Sequence, residues 1–133
     1  METLELFRIA EESGVSVFYD PLPVNGSCAM EIDERCAVGI DPRIGEIRTR
    51  ERLAHDLGHC FVGGFYSESA DKVVRAKSER RSDKWGYYRL VPPDEAVDAL
   101  RNGLEPWELA EHFNVSCEYM HQALEYYRSV GLV

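Results

Sequence analysis

The segment His55-Asp56-Leu57-Gly58-His59 constrains this chain more than any other, because it places two histidines four residues apart within a run whose apolar residues repeat with helical spacing. Four residues of α-helix turn through roughly 400°, so both imidazoles leave the same face one turn apart, close enough to share one metal ion. Two histidines leave a zinc ion short of a stable site, so a third ligand has to come from elsewhere in the chain.

Twenty residues beyond His59 (79 − 59), a second segment with helical character reads Glu79-Arg80-Arg81-Ser82-Asp83. A helix packed across the first directs Glu79 at the metal. Asp83, one turn on, then accepts the outer N–H of a ligating histidine and holds its tautomer. His55, His59 and Glu79 are thus the candidate ligands, with Zn²⁺ the default ion for such a His₂Glu set. Asp56 stands where the H-E-x-x-H pattern carries the carboxylate that takes a proton from the attacking water. It is one methylene shorter than Glu, which draws its carboxylate about 1.5 Å toward its own backbone. Gly58 costs about 1 kcal/mol of helix propensity relative to Ala, so a close approach of another backbone or of substrate is its expected cause.

With 133 residues and 44% hydrophobic content, the chain suits a single domain, divided into a sheet with metal-binding helices (1–92) and a C-terminal helical extension (93–133). A formal net charge of −9 argues against a phosphate-backbone binder. The expectation is a protein or peptide partner, with no direct nucleic-acid contact. The first residues lack the basic and apolar regions of a signal peptide, and no apolar stretch approaches membrane-spanning length, which predicts a cytoplasmic protein without a membrane association. Cys28, Cys36, Cys60 and Cys117 form no C-x-x-C pair and are read as small core or surface residues without disulfides. Cys60 follows His59 and points about 100° away from it, so it is not counted as a ligand.

Residues 2–13 carry an amphipathic stripe that Gly14 terminates. Three short apolar runs follow, at 15–19, 28–32 and 36–40, the last two separated by a turn at Asp33-Glu34-Arg35. The expected fold class is α+β: a small, mostly antiparallel sheet of about three strands, a zincin-like two-helix metal core and short C-terminal helices. The metal-bearing helix starts at Glu46 or Thr49 and stops at Gly63-Gly64, and the second long helix runs from about Asp71 to Leu90 before Pro92-Pro93. Pro93 and Pro106 fall in helical first turns, Gly103 and Asn114 at helix ends, and Ser116 at an N-cap. Residues 107–124 have helix-turn-helix spacing, but the second helix has no Lys or Arg before Arg128, which favours a packing or protein-contact role.

Ala54-His55-Asp56-Leu57-Gly58-His59, Glu79-Arg80-Arg81-Ser82-Asp83-Lys84-Trp85, Leu90-Val91-Pro92 and Pro106-Trp107-Glu108-Leu109-Ala110 together resemble the ImmA/IrrE family of zinc metallopeptidases. The similarity covers about residues 30–125. Proteins of that family are often encoded in bacterial phages and mobile elements. The resemblance implies a gluzincin-like site with His55, His59 and Glu79 on zinc, Asp56 in the position of the base, and cleavage of a helix-turn-helix repressor that relieves transcriptional repression. The sequence departs from the family pattern at Asp56, Ser82 and Gly86.

Three functions follow. One is a zinc metallo-endopeptidase, weakened by Asp56. The alternative is a non-cleaving, metal-holding regulatory protein that acts by binding a repressor or another protein. A phage or toxin–antitoxin component working through its C-terminal helices is a third. For cleavage, an extended peptide is expected to pair with the strand at 36–40, and Tyr66, His112, Tyr119 and His121 are the open candidates for an oxyanion donor.

Overall fold

The computed structural model describes residues 1–133. In chain order the elements are α1 (Thr3–Glu12), β1 (Ser16–Tyr19), β2 (Ser27–Ile32), β3 (Arg35–Ile40), α2 (Glu46–Gly58), α3 (Lys72–Leu90), α4 (Pro93–Arg101), α5 (Pro106–Phe113) and α6 (Cys117–Ser129), with one π-helical turn (His59–Gly63) continuing α2. The architecture is α+β, and each predicted helix and strand is present.

α1 buries Leu6 and Ala10 and stops before Gly14, whose φ of +75° reverses the chain. β2 and β3 form a hairpin whose two turn residues, Asp33 and Glu34, both adopt positive φ (51° and 65°), matching the right-handed twist of the strands. β1 returns parallel to β3, with Val17 opposite Val38, while β2 runs antiparallel to it, with Ala29 opposite Val38. The sheet is therefore mixed, in the order β1-β3-β2. This corrects the expected docking strand: β3 is central, both of its edges are paired, and the free edge beside the metal helices belongs to β2.

A second correction concerns the cysteines. Cys36 on β3 and Cys60 on the π-turn are disulfide-bonded, with Cα atoms 5.8 Å apart. They are 24 residues apart in sequence, and only the packing of the π-turn against the sheet brings them together. Closing such a loop restricts the unfolded chain by roughly 3 kcal/mol in the chain-entropy account.

The core is one continuous cluster running from Leu6 of α1 through Val38 and Ile40 of β3 and Leu53 and Leu57 of α2 to Leu124 and Tyr127 of α6. The C-terminal helices obey their predicted signals. Pro106 occupies the first turn of α5 behind a Glu105–Glu108 capping box, and Asn114 ends it in the left-handed region. Ser116 caps α6 by accepting from the Tyr119 N–H at 3.1 Å. Its own N–H and hydroxyl donate to Glu51 of α2, which ties the C-terminal extension to the metal-bearing helix.

α2 and α3 pack closely because glycine lets them. A Cβ built at Gly58 falls 2.5 Å from the Ser82 carbonyl oxygen and 2.7 Å from its Cα, backbone that cannot move aside alone. Gly58 thus meets another backbone, as its helix cost implied. Ser82 is fully buried, and its hydroxyl turns back to donate to the Ser78 carbonyl at 2.9 Å. On α3 the residues facing α2 follow i, i+3, i+4, i+7: Glu79, Ser82, Asp83 and Gly86.

Candidate metal centre

The close approach of α2 and α3 brings three ligand atoms to one point. His55 Nε2 lies 3.2 Å from His59 Nε2 and 2.9 Å from Glu79 Oε2, and His59 Nε2 lies 3.3 Å from Glu79 Oε1. A tetrahedral ion with bonds near 2.0–2.1 Å separates neighbouring ligands by about 3.3 Å, so these spacings fit a zinc-sized cation.

The outer nitrogens settle which lone pairs face that point. His55 Nδ1 donates to Asp83 Oδ1 at 2.7 Å, and His59 Nδ1 donates to the Gly64 carbonyl at 2.9 Å. A carboxylate and a carbonyl only accept, so both Nδ1 atoms carry the proton and both Nε2 atoms direct lone pairs at each other and at a carboxylate. Three such groups within van der Waals distance need a cation between them. The π-turn supplies the Gly64 bond, since its wider winding, closed by the Gly64 N–H to the His59 carbonyl, carries that residue back over the imidazole. The Ser78 hydroxyl donates to the same Gly64 carbonyl at 3.1 Å.

Without metal, a proton fills the role. Burial opposes charge on His55, but its hydrogen bonds to Asp83 and Glu79 outweigh that and lift the imidazole to about 9. Hydrogen bonds from His55 and His59 hold Glu79 well below the usual carboxylate range, against the effect of burial. Metal uptake near neutral pH must therefore displace the His55 proton, and apparent affinity is expected to fall about tenfold for each pH unit below about 9. Zinc titrations at several pH values check this, and a flat profile contradicts it. Asp83→Ala removes the outer partner of His55 and is expected to weaken zinc binding by about 10- to 100-fold, read by competition with a zinc-sensitive dye.

An open cleft of about 560 Å³ surrounds the cluster. Ser27, Cys28 and Ala29 of the β2 edge line one wall, and Phe65 and Tyr66 stand above His59. Asp56 lines the same cleft, 2% exposed, with Oδ1 3.7 Å from Arg52 Nη2 and Oδ2 without a partner. Burial raises its pKa, while Ser27, Arg52 and the two histidines pull the other way. Arg52 also donates to the Ser27 hydroxyl at 2.8 Å, linking the β2 edge to the carboxylate. The spacing of Arg52 four residues before Asp56 was a readable signal of this pairing. Nothing local in the sequence marked Ser27 or Gln122, another residue of the cleft wall.

Among the four oxyanion candidates, Tyr66 alone lines the cleft, its hydroxyl donating to Glu79 Oε1 at 2.6 Å. That bond also raises the phenol's pKa. Tyr119 packs edge-on against Tyr87 and over Gly86. His121 is exposed beside Glu125, and His112 lies against Phe113 on the surface. No helix of the fold is long and apolar enough to cross a membrane.

Comparison with curated proteins and with solved structures returns no match. A family model described as Peptidase_M78, IrrE N-terminal-like domain, matches residues 10–125, a span that holds the three-stranded sheet, both metal-site helices and the C-terminal extension as far as the middle of α6. The chain therefore belongs to the Peptidase_M78, IrrE N-terminal-like family.

Proposed function

We propose that this protein is a zinc-dependent endopeptidase that acts in the cytoplasm on a helix-turn-helix repressor and thereby relieves repression. The observation that carries this reading is the convergence of two histidine lone pairs and a glutamate oxygen in an open cleft with Asp56 on its wall. When bound, the ion supplies Lewis acidity toward the scissile carbonyl and lowers the pKa of the attacking water.

The residues of the chain do the rest. The free edge of β2 aligns an extended substrate segment by main-chain hydrogen bonds, the part first expected of β3. Asp56 accepts the proton of the attacking water and passes it to the leaving amine, and its burial-raised pKa makes it a stronger base than an exposed aspartate. Arg52 and Ser27 steady that carboxylate. Tyr66 turns its hydroxyl from Glu79 toward the developing oxyanion. Phage or mobile-element origin is consistent with this role in transcription control and belongs to the same proposal.

The test is incubation of zinc-loaded protein with purified helix-turn-helix repressors from the same genome, read by mass spectrometry. Discrete fragments that vanish with chelator and in Glu79→Ala support the reading. Intact repressors throughout, with a loaded metal site, contradict it. The second reading, a metal-holding regulator that binds without cutting, is favoured by the depth and shortness of Asp56. Under it, a repressor-dependent effect in cells survives Asp56→Asn.

A further inference from the structure

α3 presents a second face that the metal site does not use. Arg81, Lys84, Trp85, Tyr88 and Arg89 follow i, i+3, i+4, i+7, i+8, and with Val62 of the π-turn they line a groove of about 450 Å³. It shares no residue with the metal cleft. The Arg89 guanidinium lies over the Trp85 ring, 4.5 Å from its centre, and Lys84 Nζ stands 5.8 Å from the Tyr88 ring. Stacking uses the face of the guanidinium and leaves its in-plane N–H donors free for an anion.

None of Arg81, Lys84 and Arg89 pairs with a carboxylate. This holds although the chain carries 24 acidic residues against 15 basic ones. Among the arginines and lysines of the chain only Arg43 and Arg52 pair with a carboxylate, so what sets these cations apart from the other surface cations is their placement beside the two rings of one groove. The groove also has shape. From Arg81 to Arg89 it follows about 12 Å of helix, with cations at both ends and the rings between them. Such a strip suits a peptide chain better than a compact nucleotide, which would call for backbone donors around its phosphate.

We infer that this groove docks an acidic segment of the protein partner, with carboxylates on Arg81 and Arg89 and an apolar side chain against Tyr88 and the exposed Val62, above a buried Trp85 that Arg89 covers. The inference rests on the partner being a protein and not on its cleavage. Binding at this groove holds the partner beside the metal helix, since Val62 lies three residues past His59.

The probe is a dye-labelled five-residue peptide with a central phenylalanine and two aspartates on each side, followed by fluorescence anisotropy. Binding that weakens with salt, weakens about tenfold or more in both Arg89→Ala and Arg81→Ala, and is lost when the aspartates become asparagines supports the site. Arg81 is exposed and Arg89 half-buried over Trp85, so circular dichroism and thermal melting verify the fold of each variant. His55→Ala protein should bind the peptide as well as the parent does, so a failed peptidase reading leaves this result intact. Absence of binding, equal binding of the asparagine peptide, or preferential displacement by ADP overturns the proposal. So does a concentration-dependent dimer that Arg89→Ala dissolves, since the occupant is then a second copy of the chain.

Discussion

Replacing Asp56 by Asn is expected to lower repressor cleavage by about 100- to 10,000-fold while zinc content stays unchanged. Asn fills the same buried space but cannot accept the proton of the attacking water. Asp56 also lies outside the trio of convergent ligand atoms, so metal loading has no reason to fall. A separate readout guards against misfolding. Asp56 is 2% exposed, has an unpartnered carboxylate oxygen, and has its pKa raised by burial. A group whose folded pKa is raised favours the fold at low pH and works against it as pH climbs past that pKa. Metal-free Asp56→Asn protein is therefore expected to melt higher than the parent at neutral pH. Asp56→Glu, which restores the longer base, should raise cleavage. If cleavage is unaffected by either change, Asp56 is not the base.

Gly58→Ala is expected to destabilise the fold by about 2 kcal/mol and to lower zinc affinity in the same protein. Helix propensity alone points the other way, favouring Ala by about 1 kcal/mol. The contact decides: the new methyl would meet the Ser82 carbonyl and Cα, and separating two packed helices costs about 1–3 kcal/mol or more when backbone must move. The same separation draws Glu79 and Asp83 away from His55, because all three sit on the two helices concerned. Thermal melts with and without zinc check both effects. A variant as stable as the parent with full affinity contradicts this packing account.

The parts of the site that were legible in the sequence are those set by local periodicity. The four-residue spacing of His55 and His59 and the E-x-x-x-D spacing of Glu79 and Asp83 each place two side chains on one helical face, whatever the tertiary fold. Gly58 was legible for a related reason, since a helix-weakening residue between two ligands asks for a compensating contact. What could not be read depended on long-range order. Strand order put β3 between β1 and β2 and moved the free edge to β2, and apolar runs alone carry no information on that order. The Cys36–Cys60 disulfide and the Arg52–Ser27 link join segments that only the folded sheet brings side by side. Sequence spacing does not rank Tyr66 above the other three oxyanion candidates, because its place depends on the loop after the π-turn folding over Glu79.

The most direct test of the metal centre is the zinc content of protein purified without chelator or immobilised metal, measured beside His55→Ala. The geometry predicts about one zinc per chain in the parent and almost none in the variant. Equal, substoichiometric metal in both would contradict the assignment of His55, His59 and Glu79 as ligands and remove the basis for the peptidase reading.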